Sequence, residues 1–502
     1  MTVLKELTRL SRTYFTEGQH RESASQEVLP AIDPATGEQI GEVADCTQAE
    51  VDAVIAAANH AQPGWWALSA LDRAERLHEV ALAMRRLQPE LAEILTREMG
   101  KPYKETADEV AWSVTATDYY AEIGRHDVGH MVGPATAGQT HFTLKEPMGV
   151  VVIVLPFNYP YVLLCWEAAA ALAAGNAVIV KPSENTSLST LKFMEAFEAL
   201  PPGLVQCVTG GGRVGQQLVG SPDTHMVAFT GSVPTGRAIA RTCAETFKPH
   251  LIEASGNDPF IVMPSAPMDM AVRGTAFAAF LNCGQVCTSA ERIFVHNDIY
   301  DEFAARLVAE VAKLRVGSGL DRVDVGPMVS ERERARYEAL LARAVEQGAV
   351  VAHGGGRPEG LDAGWFVEPT VLTEVTPDME ILNEESFGPV APLCRVADFD
   401  EALARANASR FGLGSNIYTS DLEEAMRATH ELEAGMVWVN APLLDNDAGP
   451  FGGRKMSGTG RQLGAEGLDT FRHTKFVMID PAAAPQDFWW FPYADDEAYP
   501  GE

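Results

Sequence analysis

The sequence predicts an α/β protein with two blocks that each alternate strand and helix, and a small β element beside them. Three observations lead there. From residue 149 onward, short apolar runs are separated by helix-length segments, the spacing of a parallel sheet covered by helices on both faces. The chain has 502 residues, too many for one ordinary core. Hydrophobic residues make up 46% and charged residues 22%, a globular balance rather than a disordered one.

The elements follow in order. The first twenty-odd residues are polar and read as loosely attached. Residues 47–126 read as helices: Thr47 and Glu50 form a capping-box pattern, apolar spacing continues through Ala53, Ile55, Ala56 and Ala57, and Trp65-Trp66 are expected in the core. Residues 129–148 read as a hairpin, with a polar Gly133–Gly138 turn ahead of His141-Phe142-Thr143-Leu144-Lys145. Val150–Leu155 is a short buried strand, followed by the Pro156-Phe157-Asn158-Tyr159-Pro160 turn and a helix through Ala168–Ala171. Further strands are expected at Ala177–Val180, Leu204–Thr209 and Met226–Phe229, with a helix over 189–199 and another opened by Gly210–Gly215. Each motif discussed below lies where such strands end, which is where ligands sit in parallel sheets. A second block runs from about 256 to 460, with strands at Ile293–Val295, Phe366-Val367 and Met436–Val439. A late strand, Thr474–Ile479, has apolar residues on both faces and so must be buried on both. The aromatic run Phe488–Tyr493 exceeds what a free tail exposes, and an acidic end follows.

Charge and cysteines bound the partners. A formal net charge of −30 repels nucleic acid and anionic membrane, so neither is expected as a partner. Seven cysteines, an odd number mostly within apolar runs, fit reduced thiols in a cytoplasm. Cys283 and Cys287 have no second Cys/His cluster nearby, so no metal site is expected. The N-terminus lacks a signal layout, and the most apolar stretch is too short to span a bilayer.

The chemistry concentrates in a few segments. Cys287 sits in Asn282-Cys283-Gly284-Gln285-Val286-Cys287-Thr288, and Glu253 precedes it in Ile252-Glu253-Ala254-Ser255-Gly256. A thiol can attack a carbonyl carbon, and a carboxylate can activate a water. The plain alternative is a buried free cysteine. Asn158, at a strand end, can offer its amide N–H₂ to an oxyanion, or be a turn residue between prolines. Gly210–Gly215 has the dinucleotide-fingerprint spacing, but the next strand ends Phe229-Thr230-Gly231-Ser232 without the acidic residue that version needs. In Phe229–Gly236, Ser232 and a helix N-terminus suit a phosphate, or Ser232 simply caps the helix. Lys181 and Glu184 share a loop: they can hold an adenine ribose or form a surface ion pair, and Glu184 would repel a 2′-phosphate, favouring NAD over NADP.

Taken together these segments closely resemble the aldehyde dehydrogenase superfamily, over about residues 30–480. The matching motifs include Glu384-Glu385-Ser386-Phe387-Gly388-Pro389 and Pro450–Gly458. The resemblance implies Cys287 as nucleophile, Glu253 as general base, and Asn158 with the Cys287 N–H as oxyanion hole. It implies Lys181, Glu184 and Ser232 at the adenosine and phosphate end, and Glu385 and Phe387 at the nicotinamide ribose and ring. Leu155, Pro156, Phe157, Ser183, Gly211, Gly215, Phe229, Gly231, Gly236 and Ala254 complete the expected cofactor contacts. Tyr159, Leu163, Trp166, Leu281, Val286, Thr288 and Asp445 are expected to line the substrate tunnel. The domains implied are a Rossmann-like NAD-binding domain (22–128 and 149–254), a catalytic domain (255–460), an oligomerisation element (129–148 and 474–485) and a tail (486–502). A homodimer or homotetramer is expected. The family's usual Trp is Phe157 here, and its usual Glu-Leu-Gly-Gly is Glu253-Ala254-Ser255-Gly256. Tyr159, Trp166 and the leucines suit an apolar or aromatic aldehyde, whereas Asp445 and Asp447 suit a polar or cationic one. Two rival functions are a semialdehyde dehydrogenase that hands the acyl group to coenzyme A, which would not need Glu253, and a non-catalytic protein on the same fold, which would not need Cys287, Asn158 and Glu253 together.

Overall fold

The computed structural model describes residues 2–126, 128–483 and 490–491. Its largest sheet has eight strands in the order Gly458–Thr459, His250–Ala254, Met226–Gly231, Val150–Val154, Ala177–Lys181, Val205–Cys207, Thr13–Thr16, Gln19–Glu22. The five central strands run parallel, and the edge strands on either side are antiparallel. The central runs are apolar almost throughout because both faces are covered: Val150–Ile153 and Ala177–Val180 are fully buried. Helix Pro160–Ala173 packs on this sheet and is buried along its whole length.

The helical segment is three helices, Gln48–Trp66, Ala70–Met99 and Tyr103–Ile123. The Thr47–Glu50 capping box is closed in both directions, and Ser69 with Asp72 forms a second one. Trp65 is buried and donates Nε1 to the Leu172 carbonyl at 2.8 Å. Trp66 corrects the expectation for the pair: it is 40% exposed, under the guanidinium of Arg73.

The N-terminus is not loosely attached. Thr2–Leu10 is a helix whose Leu7 and Leu10 are fully buried, and Thr13–Thr16 joins the large sheet beside Val205–Cys207. Burial of Leu7, Leu10 and Phe15 holds down a segment whose average composition is polar.

A second sheet has seven strands in the order Val350–His353, Thr370–Thr373, Val390–Val396, Ala290–His296, Asp258–Val262, Asn416–Tyr418, Trp438–Val439. Phe366 and Val367 are buried but lie outside any strand, and the strand there begins at Thr370. A third sheet pairs Met131–Val132, Thr140–Pro147 and Arg472–Ile479, antiparallel throughout. The 129–148 hairpin and the late strand thus meet in one small sheet. Phe476, Met478 and Ile479 nevertheless remain about half exposed in the single chain. Trp490 and Phe491 of the aromatic run are exposed, and the rest of that run, apart from these two, lies outside the described residues.

Candidate active site

A cavity of about 640 Å³ opens at the C-terminal ends of the parallel strands, between the two large sheets. It brings together Asn158, Glu253 and Cys287 with Pro156, Phe157, Gly231, Ser232, Ala254, Glu385 and Phe387. These residues come from three separate strand ends, from the turn ahead of strand Ala290–His296 and from the Glu384–Gly388 loop, so only folding assembles them.

Cys287 is partly open, whereas the other six cysteines are buried. It follows a tight turn in which Asn282, Cys283 and Gly284 all have positive φ, 50°, 57° and 70°. Left-handed backbone costs a residue such as Cys roughly 1–2 kcal/mol, so the turn must be held. Asn282 holds it: its Nδ2 donates to the Asn158 and Gln285 carbonyls at 3.2 Å each, and its N–H donates to Glu105 at 3.0 Å. Gly256 must be glycine here, because a Cβ would lie 1.9 Å from the Cys287 carbonyl oxygen. The motif's extra bulk therefore falls on Ser255, and Gly256 leaves the nucleophile's backbone its space.

Burial pushes the Cys287 thiol well above its usual range, and the nearby Glu253, Asp258, Glu385 and Asp445 push the same way. Burial also pushes Glu253 well up, reinforced by Glu385, Glu167 and Asp258. The site thus favours the neutral form of each, the thiol and the carboxylic acid. Asn158 donates Nδ2 to the Gln285 carbonyl at 3.1 Å, which uses one of its two amide hydrogens and leaves the other to donate.

The loop carrying Glu385 and Phe387 is fixed by a residue that sequence reasoning missed. Glu291 is buried and accepts from Ser386 N–H (2.9 Å), Ser386 Oγ (2.7 Å), Phe387 N–H (2.8 Å) and Asn257 Nδ2 (3.1 Å). Glu385 in turn accepts from Gly256 N–H at 3.0 Å. Phe387 meets Phe157 edge-to-face, with centroids 5.8 Å apart, so the phenylalanine in place of the family's tryptophan is packed against the Glu384–Gly388 loop. Arg332, Arg336 and Arg410 also line the cavity and were not foreseen. They are cations in a protein of net charge −30, and no local spacing marked them.

The other expected cofactor residues lie outside the cavity lining. Lys181 is buried and donates Nζ to the Pro182 carbonyl at 2.9 Å, with no ion pair to Glu184, which is exposed. Ser183 caps the short turn at Glu184–Thr186, and Leu155 N–H bonds the Lys181 carbonyl at 3.0 Å. Ser232 does not cap the helix Val233–Ala244; its hydroxyl donates to Thr235 at 3.1 Å. Phe229 and Gly236 form the packing beneath: a Cβ on Gly236 would come within 2.9 Å of Ile252 and 3.3 Å of Phe229. Gly211 N–H donates to the Asp45 carboxylate at 3.0 Å, and Arg213 joins it at 2.9 Å, so this helix start is already met by an anion of the chain itself. Gly215 lies within that helix, with open space around it.

Of the residues expected at the substrate tunnel, Tyr159 and Leu281 line a second cavity of about 500 Å³, with Trp112, Phe277, Phe280, Glu105, Asp108 and Leu443. Lys101 Nζ sits 3.6 Å above the Tyr159 ring and pairs with Glu109, both side chains fully buried. Leu163, Trp166, Val286 and Thr288 are buried and outside that lining. Trp166 packs between Trp112 and Phe451, at 5.1 and 5.0 Å. Asp445 is pushed up to about 7 by burial and by Asp447, and its charge reaches both Tyr159 and Cys287.

The comparisons with known proteins agree with this geometry. The aldehyde dehydrogenase family model matches residues 20–477. The chain belongs to that family. It is 39% identical to a betaine aldehyde dehydrogenase of Rhizobium leguminosarum bv. trifolii (strain WSM2304), over 94% of this chain and 98% of the relative. It is 37% identical to a 3-sulfolactaldehyde dehydrogenase of Pseudomonas putida, over 95% and 99%. Its fold matches a betaine aldehyde dehydrogenase from Staphylococcus aureus in complex with NAD+, with a TM-score of 0.94 at 31% identity, over 98% of this chain and 99% of that one. The enzyme is therefore an aldehyde-oxidising oxidoreductase that uses a nicotinamide cofactor, NAD, with NADP as the alternative. Among the described residues, no helix is long and apolar enough to cross a membrane.

Proposed function

We propose that the enzyme oxidises an aldehyde to its carboxylic acid through a thioester on Cys287, hydrolysed by water that Glu253 activates. The observation that carries this is the convergence of a partly open Cys287, an Asn158 amide with a spare donor, and a buried Glu253 on one cavity. Cys287, partly open to the cavity, gives its proton to solvent, and the thiolate attacks the aldehyde carbon. Asn158 and the Cys287 N–H hold the oxyanion. The cofactor, when bound, supplies the hydride acceptor. Its fit is supported by a cavity whose floor includes Gly231, the uncapped start of helix Val233–Ala244 and the Phe157–Phe387 pair. Glu385 and Phe387 would hold the nicotinamide end. Lys181, Ser183 and Glu184, outside the cavity, would hold the adenosine end. Once the thioester has formed, Glu253 takes a proton from water, the hydroxide adds to the acyl carbon, and the acid leaves as Cys287 is freed. A deacylating base argues against transfer to coenzyme A.

The substrate side favours a neutral or positively charged aldehyde over an anionic one. Asp445 near Cys287, and Glu105 and Asp108 among aromatic rings, suit a cation, and one of the relatives named above is a betaine aldehyde dehydrogenase. A panel of propanal, benzaldehyde, betaine aldehyde and succinate semialdehyde, followed by NADH absorbance, tests this. We expect turnover of the first three and a kcat/KM at least about tenfold lower for the succinate compound. Preference for the succinate compound would overturn the charge argument, and no NADH from any aldehyde would overturn the reaction.

We also infer a homodimer or homotetramer in the cytoplasm. The late strand Arg472–Ile479 is the edge of its sheet and exposes Phe476, Met478 and Ile479. Apolar edges invite pairing, and a second copy of the chain is the simplest cover.

A further inference from the structure

One buried carboxyl has no part in the reaction as described. Glu167 is the single charged residue of helix Pro160–Ala173 and is fully buried. Its Oε1 accepts from Gln462 Nε2 at 2.6 Å and from Thr230 Oγ1 at 3.4 Å. Gln462 Nε2 also lies 3.3 Å from Thr230 Oγ1, so the three side chains form one cluster. Oε2 of Glu167 has no partner. No lysine or arginine pairs with Glu167 among the described residues.

Thr230 links this cluster to the active site. It pairs in register with Glu253 on the neighbouring parallel strand, so the two side chains share one face of the sheet. Both also line the main cavity. Glu167 therefore sits directly behind the row on which the general base stands. Burial holds its proton, up to about 8, against the hydrogen bonds from Gln462 and Thr230. The titratable groups facing the pair are Glu385, Asp258 and Cys287 around Glu253, and Tyr120 beside Glu167. Arg237, Arg332, Arg336 and Arg410 line the same cavity, but the charges that act most strongly on Glu253 are the carboxyls of Glu385, Glu167 and Asp258, so one carboxyl of the pair feels the other.

We propose that Glu167 is a positioning residue for the hydrolytic half of the reaction: it stands behind Glu253 through Thr230, and its charge, once it ionises, raises the pH at which Glu253 can take a proton from water. The proposal rests on Glu253 being the base. The two carboxyls titrate as a pair. Loss of the Glu167 proton makes it harder for Glu253 to ionise, so the base becomes ready only at higher pH.

The test separates the two half-reactions. Propanal is oxidised with NAD at a range of pH values. First-turnover NADH formation reads acylation of Cys287, and acid-quenched intact mass reads decay of the acyl-enzyme. In Glu167→Gln the charge is gone, so the acid limb of thioester decay should move to lower pH by on the order of one unit. Gln462→Met removes a donor that stabilises ionised Glu167, and should move the limb in the same direction by less. First-turnover NADH formation should keep the parent's pH profile in both variants. It also shows whether the thioester reading holds, independently of Glu167. An unmoved limb in both variants, with or without a uniform loss of rate, would overturn the proposal.

Discussion

Cys287 and Glu253 share one cavity whose surroundings disfavour charge on both. Cys287→Ala should abolish oxidation and leave NAD binding close to that of the parent by fluorescence titration. Retained turnover would shift the role to Cys283, which is buried against Met328 at 3.8 Å and poorly placed for it. Asn158→Ala should lower kcat by about 10²–10³, the usual loss for one oxyanion donor. Cys287, Glu253 and Asn158 were legible in the sequence as candidates, and the fold brings all three to one cavity. Glu291 was not. It accepts four hydrogen bonds from residues up to 96 positions away, and only the fold shows that one carboxylate carries the loop bearing Glu385 and Phe387.

At the scale of elements, strands with continuous apolar runs were readable because both faces are buried, and four of the central five fall where the runs predicted; the fifth, His250–Ala254, was not foreseen. The failures share a cause. Thr13–Thr16 is four residues long and is a strand because it pairs with Val205–Cys207, about 190 positions away. Phe366 and Val367 are apolar because they pack in the core, without ladder bonds. The alternative reading of Ser232, as a simple helix cap, is the one the structure removes. The loop after Ala177–Lys181 carries a prediction of its own. Lys181 gives its hydrogen bond to the Pro182 carbonyl and makes no contact ion pair with Glu184, although the two charges attract across the loop, and the exposed Glu184 carboxylate stays free to repel a 2′-phosphate. NAD should give a higher kcat/KM than NADP, and Glu184→Gln or Glu184→Ser should narrow the ratio. A parent that already prefers NADP would show that this loop does not set the choice.

As a whole molecule, the chain joins two sheets at the cavity and leaves a third sheet with an exposed apolar edge. Native mass measurement of the full chain should give a dimer or tetramer. Truncation after Arg472 should give monomers or aggregates of low activity, since it removes most of the late strand. A full-length monomer at micromolar concentration would contradict this. The join between the sheets matters most for the chemistry, because it sets Glu253 of one beside Cys287, at the start of the other. The most direct test of that arrangement is the time course of NADH formation by Glu253→Gln after rapid mixing with NAD and aldehyde. The account predicts a burst of about one NADH per active site, as the thioester forms, and then slow turnover while it waits for water. Steady turnover equal to that of the parent, without a burst, would contradict it.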